Sequence, residues 1–192
     1  SQRATALALA AFGAGSMTAA LFLPRMLDKL PDRTAMILGA GLLVAGLFAG
    51  STVFSYGVLL PLWFVLGLGY SLAQTPSGRL LRRSAHAEDR PALFAAQFAL
   101  SHACWLVTYP LAGWLGAEMG LTPTFIVLGI VAAAAVGAAS LLWPASDPDE
   151  IEHVHDDLVP SHPHLVDAVA VTRGWRHRHA FVIDSHHATW PR

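Results

Sequence analysis

The sequence predicts an all-α membrane protein, five transmembrane helices followed by a small, partly disordered cytoplasmic tail. Three observations lead there. The 192 residues are 54% hydrophobic and 13% charged, against about 25% charged in an ordinary soluble domain, so the apolar excess needs a solvent other than water. The charge is also unevenly placed: residues 4–144 carry almost none outside two short loops, whereas 145–192 are rich in Asp, Arg, His and Pro. Finally, the apolar part divides into five runs near the length of about 20 residues that a bilayer-crossing helix needs. These runs are about 4–24, 34–54, 57–76, 92–115 and 121–144, and none contains Asp, Glu, Lys or Arg. Helices buried in a soluble protein would each keep a charged face, which these lack. The domain division is therefore a transmembrane region, 1–144, and a His-rich tail, 145–192.

The loops set the orientation, because short cytoplasmic loops collect Lys and Arg. The loop after the first span holds Arg25, Lys29 and Arg33, and the loop after the third holds Arg79, Arg82, Arg83 and Arg90. The second and fourth loops hold none, and Arg3 is the only basic residue on the opposite side. The tail is thereby placed in the cytoplasm. A net charge of −1 offers no basic face for nucleic acid. The single Cys104 can form neither an internal disulfide nor a thiolate metal site. Eleven arginines to one lysine, with abundant alanine, suggest a GC-rich bacterial genome, hence the inner (plasma) membrane. The chain runs from Ser1 straight into a span without the charged n-region of a signal peptide, as expected of a piece of a longer protein.

Each span has its own character. The first carries Gly13, Gly15, Ser16, Ala19 and Ala20, small residues that let helices approach closely, and is expected to pack inside. The second and fifth, through Ile37 to Phe48 and Phe125 to Val136, have no strongly polar side chain at their centres and are expected to face lipid. The third is broken by glycine at Gly67-Leu68-Gly69-Tyr70 and closes on Gln74-Thr75-Pro76 before a basic stretch. The fourth is two-sided. At 100° per residue, Phe94, Gln97, Ser101, His102, Trp105, Thr108 and Tyr109 share a sector about 120° wide. His102 is the sole Asp, Glu, Lys, Arg or His within any span, and about 1.5 Å of rise per residue puts it near mid-bilayer. Such a residue is a functional candidate by default, with a hydrogen-bonded structural histidine as the alternative; a pKa near 6.5 would suit proton coupling.

The loop Pro24-Arg25-Met26-Leu27-Asp28-Lys29-Leu30-Pro31-Asp32-Arg33 resembles the loop signature of the major facilitator superfamily. That signature reads glycine, three residues, aspartate, a basic residue, one residue, glycine, and two basic residues. Asp28, Lys29 and Arg33 match in register; Pro24, Pro31 and Asp32 depart from it. The third span is similar to the tenth helix of many members. The resemblance covers residues 1 to about 144 and implies helices eight to twelve, with a missing N-terminal half of the same protein that would share the substrate cavity near the midplane. It also implies that Asp28, Lys29 and Arg33 form a conformational-switch loop. Cavity candidates are then His102, Gln97, Ser101, Trp105, Thr108 and Tyr109 on the fourth span, with Tyr70 and Gln74 on the third.

Eight of the ten histidines lie in the tail, as His153 and His155, His162 and His164, His177 and His179, and His186 and His187. Imidazole binds divalent transition metals, and His-x-His on a strand puts both rings on one face. Asp156, Asp157 and Asp184 could complete a shell. Val166 to Val171 and Trp175 to Ile183, separated by Thr172-Arg173-Gly174, read as a β-hairpin. A solvated extension, a metal-binding module and a partner-docking segment all suit this composition. Nickel and cobalt exporters of the superfamily resemble this plan, although here the histidines come in pairs and not in one long run.

The functional expectation is a secondary transporter moving a small molecule or ion across the lipid bilayer by alternating access, coupled to protons. A divalent metal exporter, and a membrane-anchored metal sensor or buffer without transport, are the alternatives. Nothing spells a phosphate-binding Gly-x-x-x-x-Gly-Lys-Ser/Thr loop for an ATP-driven pump. No nucleophile with a base, and no closed ligand set, lies within the spans, so an enzyme is not expected. No cofactor is required, beyond a divalent transition metal that the tail could take.

Overall fold

The structure, a computed structural model, describes residues 1–27, 30–53, 55–145, 148 and 150–190. Five apolar helices long enough to cross a membrane are present among them. In chain order the helices are α1 (Gln2–Leu27), α2 (Asp32–Gly50), α3 (Tyr56–Gln74), the short α4 (Ser77–Arg83), α5 (Arg90–Met119) and α6 (Leu121–Leu142). The boundaries differ from the expected spans in two places. The long helix α3 ends at Gln74, and after Thr75 and Pro76 alone the chain resumes as the short helix α4 from Ser77 to Arg83. The fourth span is longer than hydropathy suggested because α5 runs on to Met119, where Gly120, at φ +81°, turns the chain directly into α6; only glycine takes that left-handed conformation without strain.

Helix α3 is the centre of the bundle, with α1 on one side and α2 on the other. Glycines make both contacts close. A Cβ on Gly15 of α1 would lie 1.9 Å from the Phe64 carbonyl oxygen, and one on Gly67 of α3 would lie 2.0 Å from that of Phe12. Gly39 and Gly69 do the same between α2 and α3. Ser16 and Ser71 share a hydrogen bond of 3.2 Å in the α1–α3 seam. Lipid offers no hydrophobic drive for helices to associate, so this backbone approach carries the packing. Gly67→Val is therefore expected to separate α1 from α3, because the clash is with backbone that cannot step aside. Thermal unfolding in detergent should show a loss above about 3 kcal/mol, whereas Gly13→Ala, whose Cβ would meet nothing within 4 Å, should leave it unchanged.

Large apolar side chains remain uncovered, as lipid exposure requires: Leu38 and Phe48 on α2, and Ile126, Ile130 and Val131 on α6. The peripheral expectation fits α6 better than α2, which packs against α3 on one side and against α6 on the other, where Phe125 sits over Gly50 and Phe48 over Gly129. Nor is α1 fully interior, because Leu7, Leu9, Met17, Leu21 and Phe22 are exposed. The least covered helix is α5, with Leu115 its one buried residue.

The ends of the helices align in two layers. At one, the Tyr56 hydroxyl donates to the Ala4 carbonyl at 2.7 Å and Thr122 to that of Ser51 at 3.3 Å. At the other, the two arginine-bearing loops and the tail meet. Arg33 donates to the Ser140 and Trp143 carbonyls at 2.8 and 3.0 Å, satisfying the last acceptors of α6 with a cation at the negative end of its dipole.

The tail carries more regular structure than its composition suggested. Strands β1 (Glu150–His155), β2 (Val169–Val171) and β3 (Gly174–Ala180) form an antiparallel sheet in the order β1-β3-β2. The hairpin expected around Thr172-Arg173-Gly174 is β2–β3, pairing Val171 with Gly174, and Gly174 takes φ +98° at the turn. Strand β1 pairs with β3 so that His153 faces His177. The sheet's outer face carries Glu150–Arg178 and Glu152–Arg176 ion pairs of 3.2 and 3.4 Å.

Candidate metal centre

Alternation along a strand sends every second side chain to the same face, so His153 and His155 on β1, and His177 and His179 on β3, project together from the face opposite those ion pairs. Two turns supply two more rings. His164 comes from a 3-10 turn, Pro163–Leu165, where its N–H donates to His162 Nδ1 at 3.2 Å. His187 comes from a turn organised by Asp184, whose Oδ1 accepts from the backbone N–H of His186 and of His187 at 2.9 and 3.0 Å and lies 3.0 Å from His187 Nδ1.

The orientation of the rings is informative. His153 Nδ1 donates to the Ile151 carbonyl at 3.1 Å, and His179 Nδ1 to that of Ala180 at 2.7 Å. His187 Nδ1 faces Asp184, and His155 Nδ1 is 3.7 Å from Asp157 Oδ1. A carbonyl or carboxylate oxygen can only accept, so Nδ1 of His153, of His179 and of His187 is the protonated nitrogen, and the neutral ring then aims its Nε2 lone pair inward. His153 Nε2 lies 3.1 Å from Nε2 of His155, 3.1 Å from that of His177 and 2.9 Å from that of His187. Nε2 of His164 and of His179 are buried with no hydrogen-bond partner among the described residues. Protons alone do not account for such convergence, because a nitrogen with only a lone pair cannot donate to its neighbour. Oxygen acceptors behind inward imidazoles are the arrangement that supports metal ligands.

The electrostatics disfavour the charged form of four of the rings. Burial, followed by the neighbouring imidazoles, lowers the pKa of His164 and His177 to about 4. Burial likewise lowers that of His153 and His187, the latter against the opposing pull of Asp184. Burial pushes the Asp184 carboxyl up, but the hydrogen bonds from His186 and His187 and the electrostatic pull of the adjacent His187 ring outweigh it and hold the carboxyl below its ordinary range. A metal-ligating imidazole must be neutral, and His153, His164, His177 and His187 are held toward that form.

Six of the eight expected histidines thus come together. His162 and His186 stand beside them, ring centroids 4.9 Å apart, and position His164 and the Asp184 turn. Asp157 and Asp184 stand behind rings and do not complete a shell, and Asp156 is exposed. Among the described residues of the tail, Leu165 and Phe181 are the buried apolar ones. Phe181 packs on His187 at 4.7 Å and on Trp190 at 4.8 Å. Trp190 lies under the Arg83 guanidinium at 5.1 Å, and the Ile183 N–H donates to the Arg83 carbonyl at 3.0 Å, so the module rests on α4.

The other candidates are placed as follows. His102 is exposed on α5 and points away from the bundle; its Nδ1 donates to the Phe98 carbonyl at 2.8 Å. Its ring lies 4.7 Å from Trp105, which stacks 6.1 Å from Tyr109. These three, with Ala103, Leu106 and Pro110, line an open groove of about 560 Å³. Ser101 and Thr108 bond back to the carbonyls of Gln97 and Cys104. Tyr70 instead packs on Phe12 at 5.7 Å, and Gln74 is exposed at the end of α3. Among the described residues no hydrogen bond or ring contact joins these two to the α5 face. In the first loop, Asp28 and Lys29 lie outside the described residues, and Arg33 serves the end of α6. The feature sequence reasoning missed is Asp32, set aside as a departure from the signature. It is 2% exposed and pairs with Arg79, whose Nε donates to its two oxygens at 2.9 and 3.2 Å and whose Nη2 donates to Oδ1.

Five apolar helices long enough to cross a membrane, with large apolar side chains left exposed along them, define a multi-pass α-helical membrane protein. The model of the Major Facilitator Superfamily matches residues 1–182, and the chain belongs to that superfamily of membrane transporters. Neither the curated proteins nor the solved structures compared with it gave a match.

Proposed function

We propose that the chain is the C-terminal part, helices eight to twelve, of a proton-coupled secondary transporter in a bacterial inner membrane, with a cytoplasmic module that binds a divalent transition metal. The inward convergence of six imidazole Nε2 atoms carries the metal reading. The size of the module supports it: two buried apolar residues are a small core for about forty residues, and domains of that size usually need a metal, a disulfide or a partner to hold them. Metal bound to preorganised imidazoles contributes folding energy directly. The reading is tested on the whole chain in detergent by titration calorimetry with nickel, cobalt or zinc at pH 7. One saturable binding event is expected, weakened at least about tenfold in His177→Ala/His179→Ala; no heat with any of the three ions would end it.

Proton coupling rests on His102, an imidazole at mid-membrane depth on a face that the five-helix bundle leaves open, where the other half of the transporter would lie. In the complete protein, His102→Ala should lower transport and alter its pH dependence while leaving membrane insertion intact, since an apolar replacement makes the span easier to insert. Unchanged transport between pH 5 and 8 would make His102 a structural residue.

A further inference from the structure

We infer that the six converging histidines form one six-coordinate site for a single divalent first-row ion, with His153 and His164 at opposite vertices and His155, His177, His179 and His187 around the equator. This deepens the metal-binding reading and rests on it.

The ring positions carry the inference. An octahedron has twelve edges, and all twelve are present. From His153 the ring centroids of His155, His177, His179 and His187 lie at 4.9, 4.7, 4.9 and 4.7 Å. From His164 the same four lie at 4.9, 4.8, 4.8 and 4.8 Å. Around the equator, His155–His177, His177–His179, His179–His187 and His187–His155 are 5.2, 4.7, 5.1 and 5.1 Å. His153 and His164 are 6.5 Å apart, close to the ratio of about 1.4 between diagonal and edge in octahedral geometry. Four rings around a tetrahedral ion would all be neighbours, with no opposite pair.

The donor atoms agree. With metal–nitrogen bonds of about 2.0–2.1 Å, neighbouring donors stand roughly 3.4 Å apart on a tetrahedron and roughly 3.0 Å apart on an octahedron. The three separations from His153 Nε2, 2.9 to 3.1 Å, match the octahedron. The ligand atoms fall into two overlapping sets, His153, His155, His164 and His187, and His153, His164, His177 and His179, each within 4.8 Å. Two ions would have to share His153 and His164. A neutral imidazole has one lone pair, and His153 Nδ1 is already committed to the Ile151 carbonyl, so His153 cannot bridge them.

The shell selects by chemistry. Six neutral nitrogens with no carboxylate or thiolate disfavour magnesium and calcium, which want oxygen, and give no advantage to copper(I), which wants sulfur. Zinc in a closed protein site takes four ligands, leaving two of these imidazoles unused. Copper(II) prefers a tetragonal shell. Manganese, iron, cobalt and nickel in the divalent state accept six nitrogens, and affinity rises along that series.

The test uses the whole chain in detergent, loaded with cobalt(II) alone and separately with nickel(II) alone. One cobalt per chain is expected, with the weak visible bands of a six-coordinate ion, and X-ray absorption of the nickel form should show six nitrogen neighbours near 2.1 Å. Single alanine replacements of His164 and His179 should each weaken nickel at least about tenfold and keep one ion per chain. Intense four-coordinate cobalt bands, four or fewer nitrogen neighbours, or two ions per chain would overturn the octahedral assignment and leave metal binding standing. Absence of any bound ion would overturn both. The spectra of the unaltered protein decide even if a variant fails to fold.

Discussion

His153→Ala is expected to weaken metal binding by well over a hundredfold, more than any replacement outside the six inward rings. Its Nε2 lies within 3.1 Å of three other Nε2 atoms, and its ring neighbours every equatorial histidine. Removing a residue that only supports a ligand usually costs 10–100-fold. Asp184→Ala should fall in that range, because it frees His187 to turn, and His186→Ala should fall below it. Competition against a chelator of known affinity measures all three; an effect of His153→Ala no larger than that of His186→Ala would remove His153 from the centre. The metal-free module should also lose stability in acid. His164 and His177 titrate near 4 when folded against about 6.5 unfolded, so between those values the unfolded chain binds more protons. Stability is then greatest above about pH 6.5, falls as pH drops toward 4, and changes no further below it on account of these groups. Amide exchange in peptides covering 150–187 should report that loss, and bound metal should move it to lower pH by holding the rings neutral.

How far the sequence disclosed this structure depends on the distance over which each feature is encoded. The spans were legible because hydropathy is a local sum, and the α5 face because helical periodicity needs only its own residues. The β2–β3 hairpin was legible from a turn ending in Gly174. The pairing of β1 with β3 was not: it joins His153 to His177 across 24 positions, and nothing local to either strand specifies that register. His-x-His spacing therefore showed which rings share a face without showing which pairs meet. His162 and His186 look equivalent to their neighbours in sequence, and only the turn geometry turns them outward. The loop signature gave the register of Arg33 but drew attention from Asp32, whose partner Arg79 lies 47 positions on, in α4.

That partnership gives an asymmetric expectation for stability. Asp32 begins α2, where a carboxylate also suits the positive end of the helix dipole, and its side chain is 2% exposed, whereas that of Arg79 is 42% exposed. The two ends of the pair therefore respond differently to the loss of the other. Without Asp32, the Arg79 guanidinium can turn to water, so Asp32→Ala should cost only about 1 kcal/mol. Without Arg79, a buried carboxylate is stranded, and Arg79→Ala should cost about 3 kcal/mol. Lysine should not rescue, because the bonds to both carboxylate oxygens use the fork of the guanidinium. The double variant Asp32→Ala/Arg79→Ala should be more stable than Arg79→Ala alone, since it removes the stranded charge. Thermal unfolding of the four proteins in one detergent completes the cycle. Equal single effects, or a double variant whose loss is the sum of the two, would mean that the pair does not hold the arginine-bearing loops together at this end of the bundle.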